Sequence, residues 1–231
     1  MKVSVILPAA GLGTRMGKSA KKQFLQLDGA PILVHTLRRL SRCTRVAEFI
    51  VACRAEDRSE VEAMLKDQPI AQPVRLVEGG DSRQDSVAHA LAEVSADCEY
   101  VAVHDAVRPF VTVSIVDSVF DAAQESGAAI VGIVPVDTVK QVHLNRIQTT
   151  ISRDRLVLAQ TPQVFATPLL RRAFARAQED GFVGTDESSL VERLEEVEVR
   201  VVPGSDRNIK ITRPTDLDLA QHFLAEEHAA E

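Results

Sequence analysis

The chain carries four short, largely apolar runs: Val3 to Leu7, halted by Pro8, then Phe49 to Cys53, Tyr100 to Val103 and Ala128 to Val134. Their length and β-branched content mark strands, and the absence of polar alternation marks strands covered on both faces. Between them the apolar residues take helical spacing, as Ile32-Leu33-Leu37-Leu40, Val61-Met64-Leu65, Val87-Leu91-Val94 and Val113-Val116-Val119-Phe120. With a further strand expected just before EGGDSRQDS, the order reads β-α-β-α-β-α-β-α-β. Parallel neighbours need a crossover of about this length, so the pattern predicts an α/β fold with a mostly parallel sheet. Such sheets bind ligands at the carboxyl ends of their strands. The loops there read PAAGLGTRMGKSAKKQ, EGGDSRQDS and HDAVRP, all rich in glycine or charge.

The alternation stops at residue 135. Residues 135 to 162 mix polar and apolar positions without a helical stripe, which predicts an extended hairpin or arm bounded by Pro135 and Pro162. Beyond it the spacing predicts a helix near Leu169 to Gln178, a turn containing Thr185-Asp186-Glu187, a strand near Val197 to Val202 and a helix after Pro214. The acidic end, Glu226 to Glu231, is expected to fray. No repeat or linker divides the 231 residues, so the expectation is one domain over 1–231 with an arm at about 136–158.

Charge and cysteine content exclude several classes. A net charge of −6 without a long basic run argues against a nucleic-acid surface, whose affinity rests on neutralising phosphates. Cys43, Cys53 and Cys98 are odd in number and widely spaced, which argues against a disulfide framework or zinc cluster and fits a reducing cytoplasm. The N-terminal apolar run is too short to span a bilayer, so no membrane partner is expected.

The first loop fails both common phosphate-binding fingerprints. Counting back from Gly17-Lys18-Ser19 puts Leu12 where a Walker A loop needs glycine. The dinucleotide pattern fails as well, because Gly13 is followed by three residues before Gly17. What remains is a strand end followed by Ala9, Ala10, Gly11 and Gly13, small residues whose backbone N–H groups can approach a phosphate closely. Arg15 follows, and Lys18, Lys21 and Lys22 are three of the chain's seven lysines, a concentration of positive charge on an acidic protein.

PAAGLGTRMGKSAKKQF resembles the signature of nucleotidyltransferases that activate sugar and polyol phosphates. EGGDSRQDSV, VHDAVRPF, DTVK, TPQVF, GTDESSL and NIKITRP then follow in the order found in the 2-C-methyl-D-erythritol 4-phosphate cytidylyltransferases of the non-mevalonate isoprenoid pathway. The resemblance runs from about residue 3 to residue 220, with Pro135-Val136-Asp137-Thr138 one residue shorter than the usual pattern and Arg207 at an often acidic position. It implies a Rossmann-like three-layer sandwich with a protruding β-arm, and transfer of CMP from CTP to the polyol phosphate with release of pyrophosphate.

The resemblance also implies roles for particular residues. Arg15 and Lys22 would be catalytic, stabilising charge on the α-phosphate and the leaving pyrophosphate. Ala9, Ala10, Gly11, Gly13, Gly80, Asp81 and Ser86 would bind nucleotide. Asp105, Thr138, Arg153 and Lys210 would bind substrate, with Asp105 also holding Mg²⁺. The arm would reach across a homodimer, so that Arg153 serves the neighbouring site. Plainer readings stand beside these: Asp81 or Ser82 is also suited to cap the helix that follows, and His104, lacking zinc partners, is suited to packing or positioning. Arg108 is suited to pairing with Asp105 or Asp117 or to facing phosphate. Two other functions fit many of the same motifs, the same transfer onto ribitol 5-phosphate and a non-catalytic nucleotide-binding regulator.

Overall fold

In the computed structural model, which describes residues 1–11 and 21–230, the four apolar runs become strands of one seven-stranded sheet. After β1 (Val3–Pro8) come a small hairpin, β2 (Gln26–Leu27) with β3 (Ala30–Pro31), and α1 (Ile32–Ser41). The chain then alternates through β4 (Val46–Cys53), α2 (Arg58–Asp67), β5 (Val74–Glu78), α3 (Arg83–Ala92), β6 (Tyr100–Val103), α4 (Val113–Ser126) and β7 (Ala128–Ile133). A second hairpin of β8 (Val139–His143) and β9 (Arg146–Ile151) follows, then β10 (Leu158–Ala166), α5 (Thr167–Asp180), α6 (Glu187–Glu192), β11 (Arg200–Pro203) and α7 (Pro214–Ala230).

The sheet order is β11-β7-β10-β6-β1-β4-β5. β1 pairs parallel with β4 and β6, β4 with β5, and β7 with β11, whereas β10 runs antiparallel between β6 and β7. Each central strand buries both faces, as the largely apolar runs require. Val3, Val5 and Leu7 join Phe49 and Val51 in packing on Leu33 and Leu37 of α1, Val61 of α2 and Phe120 of α4. Ile6, Ile50 and Ala52 point the other way, onto Val87 of α3, Leu170 and Phe174 of α5 and Leu190 of α6. Two helical layers thus enclose the sheet, giving the three-layer α/β architecture that the sequence predicts. A third cluster, with Phe110, Ile211, Ala220 and Leu224, seats α7 beside Leu27 and Ile32.

The structure corrects two expectations. Pro162 does not bound the arm; it lies inside β10, a core strand that the polar sequence conceals. A proline lacks the N–H that a ladder needs, and the pairing of β10 with β7 skips from Gln160 to Gln163 at this point, where Thr161–Pro162 is cis. The turn at Thr185-Asp186-Glu187 opens a short helix, α6, because the Asp186 carboxylate accepts from Ser189 N at 3.1 Å and caps it. The last helix, α7, runs to Ala230, with Glu226 paired to Arg207 and Glu227 to Arg39.

Among the described residues, the strands of the β8–β9 hairpin pair only with each other, as a sheet of their own. Leu144 and Asn145 at its tip both have positive φ, the geometry of a two-residue turn suited to a twisted hairpin. Val142, Leu144 and Ile147 are 60, 81 and 66% exposed, so the hairpin has no core of its own.

Candidate active site

The strand order changes direction at β1: the chain passes from β1 to β4 and β5 on one side, then crosses to β6 on the other. Crevices form at the carboxyl ends of strands where such a reversal occurs. A cleft of about 250 Å³ lies there, lined by the loops that follow β1, β5 and β6 together with Lys22 and Lys210. Its first wall is Ala9, Ala10 and Gly11. Ala9 N donates to Ala52 O at 2.7 Å, while Gln23 Nε2 donates to Ala9 O at 2.7 Å and Arg54 Nε to Ala10 O at 3.0 Å. Three elements therefore fix the loop as it leaves β1.

The opposite wall is the turn from β5 into α3. Ser82 is the N-cap: its hydroxyl accepts from Asp85 N at 3.0 Å, and the Asp85 carboxylate accepts from Ser82 N at 3.1 Å, a closed capping box. Ser86, one residue further, is buried and holds the turn from below, accepting from Gly80 N at 3.1 Å and donating to Ser82 O at 2.9 Å. The turn needs glycine because a Cβ on Gly80 would lie 2.3 Å from that of Asp85, and one on Gly79 would lie 2.5 Å from that of Ala10. Asp81 lies on the cleft rim and caps nothing.

Asp105, just beyond β6, is the electrostatic centre of the cleft. Its Oδ2 meets Lys210 Nζ at 3.0 Å and Arg108 Nε at 3.2 Å, while Oδ1 faces Arg83 Nε at 3.6 Å. Burial works to raise its pKa, but Lys210, Arg83 and Arg108 outweigh that effect and hold the carboxyl well below the usual carboxylate range. Arg108 has thus chosen Asp105; Asp117 pairs instead with Arg45 at 2.7 Å. Arg108 also donates to Asn208 O at 2.6 Å, tying the segment that carries Lys210 to the loop after β6.

His104 is fully buried and occupied at both nitrogens. Nε2 donates to Arg108 O at 3.1 Å and Nδ1 accepts from the Thr161 hydroxyl at 3.1 Å. Burial pushes its pKa down to about 4, so the ring is neutral and positions the loop. Thr161 in turn accepts from Asp105 N at 3.0 Å, and Asn208 Nδ2 donates to Gln160 Oε1 at 3.1 Å and Thr161 O at 2.9 Å. Thr161, which sits at the break in the β10 ladder, thus joins that strand to His104 and to the loop after β6.

A second basin of about 260 Å³ adjoins the first and shares Arg83, Asp105 and Lys210 with it, adding Arg108, Thr161 and Thr185. Arg83 stands at this junction, its Nη1 and Nη2 donating to the two oxygens of buried Glu187 at 2.6 and 3.0 Å. Burial, with Asp105 adding to it, raises the Glu187 pKa despite the opposing pull of Arg83. Sequence reasoning singled out neither residue. Only their adjacency to other motif residues, Arg83 in EGGDSRQDS and Glu187 in GTDESSL, hinted at them.

Of the sequence-predicted site residues, Ala9, Ala10, Gly11, Lys22, Gly80, Asp81, Ser86, Asp105 and Lys210 all line the one cleft. Lys21, next to Lys22 in the chain, turns away to pair with buried Asp57, which separates the two lysines as the KKQF spacing implies. Gly13 and Arg15 lie outside the described residues. Thr138 and Arg153 do not line the cleft; both are exposed at the base of the hairpin, where Arg153 Nη1 donates to Val136 O. Among the described residues no three His, Cys, Asp or Glu side chains converge on a metal position. A cation here would take one carboxylate, Asp105, and complete its shell with phosphate and water oxygens, a donor set that suits Mg²⁺. No helix among the described residues is long and apolar enough to cross a membrane.

Residues 3–226 match the family described as IspD, 2-C-methyl-D-erythritol 4-phosphate cytidylyltransferase. The protein of that name from Solibacter usitatus (strain Ellin6076) is 58% identical over 241 aligned positions, covering 99% of this chain and 98% of the relative. The one from Acidobacterium capsulatum is 50% identical, covering 97% and 98%. Among solved structures, 4-diphosphocytidyl-2C-methyl-D-erythritol synthase from Anaerococcus prevotii DSM 20548 superposes with a TM-score of 0.86 at 29% identity, over 97% of this chain and 98% of that one. The cytidylyltransferase from Thermus thermophilus gives 0.79 at 36% identity, over 96% and 98%. Sequence and fold agree over nearly the whole length, and the chain belongs to the 2-C-methyl-D-erythritol 4-phosphate cytidylyltransferase family.

Proposed function

We propose that the cleft transfers CMP from CTP to 2-C-methyl-D-erythritol 4-phosphate, an activation step in isoprenoid precursor synthesis. The observation that carries this reading is the pair of basins that meet at Asp105, Lys210 and Arg83. One basin has the small-residue walls a nucleotide needs, and the other is lined with cations for a phosphate. An oxygen of the acceptor phosphate attacks the α-phosphorus of CTP, the bond from that phosphorus to the bridging oxygen breaks, and pyrophosphate leaves. No side chain needs to form a covalent intermediate, so the residues act by positioning and charge compensation.

In this reading Ala9, Ala10 and Gly11, with Gly13, form the loop that receives the triphosphate, through the backbone N–H groups that follow Ala9, whose own N–H is committed to Ala52 O, while Gly80, Asp81 and Ser86 receive the base. An acceptor placed opposite the cytosine amine would be left unpaired against uracil, which favours CTP over UTP. Lys22 and Arg15 stabilise the charge that builds on the α-phosphate and pyrophosphate. Lys210 and Arg108 orient the acceptor phosphate for in-line approach. Asp105 is the residue to hold Mg²⁺, which when bound neutralises part of the triphosphate charge.

The proposal includes a homodimer, with one domain over 1–231 in each copy and the arm at about 136–158 crossing to the other. The exposed Val142, Leu144 and Ile147 support it, since an isolated two-stranded hairpin is only marginally stable in water. Thr138 and Arg153 would then complete the partner's acceptor basin, which neither reaches within its own chain. A reducing, cytoplasmic setting is supported by Cys43, Cys53 and Cys98, all buried and unpaired. The test is pyrophosphate release from Mg²⁺ and CTP with methylerythritol phosphate or ribitol 5-phosphate supplied separately. Release is expected with the branched acceptor; release with ribitol 5-phosphate alone, or with neither, overturns the reading.

A further inference from the structure

Among the described residues three cations surround Asp105, an awkward setting for a residue that must also hold a metal. Its two oxygens are treated differently. Oδ2 takes both close partners, Lys210 at 3.0 Å and Arg108 at 3.2 Å. Among the described residues Oδ1 faces only Arg83, whose Nε stays at 3.6 Å, beyond a hydrogen bond. The guanidinium is held back because its other edge is committed to Glu187 by a two-pronged pair at 2.6 and 3.0 Å. Such a fork fixes the plane of an arginine as well as its distance.

Glu187 is itself immobilised. It is 1% exposed at the first turn of α6, whose N-cap Asp186 accepts from Ser189 N at 3.1 Å, Ser188 Oγ at 3.1 Å and Gln163 Nε2 at 2.8 Å. Gln163 belongs to β10 and also accepts from Ser188 N at 3.1 Å, so the sheet anchors the helix that anchors the arginine. We propose that Glu187 is a positioning residue for the metal site: by holding Arg83 it keeps the guanidinium off Oδ1 of Asp105 and reserves that oxygen for the divalent cation. Without the Glu187 carboxylate, Asp105 is the anion nearest to Arg83, and the arginine closes the remaining gap and competes with the metal. The inference rests on the nucleotidyl-transfer reading, because it needs a cation that enters with a triphosphate.

The test is Mn²⁺ binding, read by the electron paramagnetic resonance of the unbound ion, in full-length protein saturated with a CTP analogue whose α–β bridge is methylene. Wild type is expected to bind Mn²⁺ and to release it to excess Mg²⁺. Glu187→Gln, nearly isosteric, is expected to weaken binding roughly 10–100-fold, the usual effect of removing a group behind a metal ligand. Combining it with Arg83→Met removes the competitor and should bring the affinity back to within a few-fold of wild type. A merely structural role predicts the opposite, since the double variant would be at least as damaged as the single one. Glu187→Asp keeps the charge one methylene shorter and should lose only a few-fold, a comparison that survives if Glu187→Gln does not fold. Unchanged Mn²⁺ affinity in Glu187→Gln or Glu187→Asp, or no recovery in the double variant, overturns the proposal. Failure of wild type to bind Mn²⁺ with the analogue would overturn the nucleotidyl-transfer reading, and the metal role of Glu187 with it.

Discussion

Replacing Gly80 by alanine places a carbon 2.3 Å from the Asp85 Cβ, 3.1 Å from the Asp85 carbonyl carbon and 3.3 Å from its Cα. Ordinary carbon–carbon contact is about 3.5–4.0 Å, so the turn and the first turn of α3 must part by roughly 1 Å. The obstacle is the base of a side chain and the helix backbone, so no rotamer change relieves it. Overpacking of this kind costs about 1–3 kcal/mol. The shift also pulls on the capping box, because Asp85 accepts from both Ser82 N and the Ser82 hydroxyl, and losing such a cap costs about 1 kcal/mol. The sum, about 2–4 kcal/mol, corresponds in a chain of this size to a Tm lower by roughly 5–15 °C. Gly80 N also donates to Ser86, so the displaced turn should raise the KM for CTP more than that for the acceptor. Thermal unfolding followed by circular dichroism, with steady-state kinetics, checks both. Gly11→Ala is the stability control, since its Cβ meets no described atom within 4 Å. A Gly80→Ala protein with wild-type Tm and wild-type KM for CTP would refute the described packing of this turn.

Lys22→Ala and Arg15→Ala should each lower kcat by about 10²–10³ with the circular dichroism spectrum unchanged, the usual loss when a preorganised charge donor is removed; wild-type turnover in both would remove them from the chemistry. Mixing the inactive variants Lys22→Ala and Arg153→Ala by co-expression should restore roughly a quarter of wild-type activity, because half of the dimers then contain one intact composite site. No recovery above the separate variants, or a monomeric mass by light scattering, refutes the shared site. His35 donates to Leu27 O at 2.6 Å, and burial lowers its pKa below the ordinary 6.5. The unfolded chain therefore binds this proton more readily than the folded one, so the His35 contribution to stability is complete above about pH 6.5 and is lost as the pH falls. Tm measured from pH 7.5 down to 5 should fall more steeply in wild type than in His35→Gln, and equal slopes would refute this assignment.

The parts of the fold that sequence made legible are those in which hydrophobic burial sets the pattern. Val3 to Leu7 and Ala128 to Val134 declare themselves because both faces of β1 and β7 meet apolar helices. β10 was illegible for the converse reason. Its Gln160, Thr161 and Gln163 are buried polar groups satisfied by Asn208, His104 and Asp186, partners 23 to 57 residues away that no local window contains. The cleft residues were legible where a motif combined small residues with charge, as in Ala9 to Gly11, Gly80 and Asp105. Arg83 and Glu187 were not, since an arginine and a glutamate 104 positions apart carry no local signature of facing one another.

The interrupted pairing of β10 has a consequence for anything designed to occupy the second basin, the one proposed to receive the acceptor. Its floor is built from Gln160, Thr161 and Gln163, which also carry the bonds joining β10 to Asn208, the loop after β6 and α6. A compound gripping these atoms would press on positions where escape substitutions carry a folding penalty, each leaving buried polar groups unpaired at about 1–3 kcal/mol apiece. On the opposite wall Asp81 caps no helix, so a substitution there carries no cap loss and only the cost it imposes on nucleotide binding in the proposed reading. A durable inhibitor of this enzyme should therefore anchor beneath Asp105 and reach toward the nucleotide, rather than the reverse.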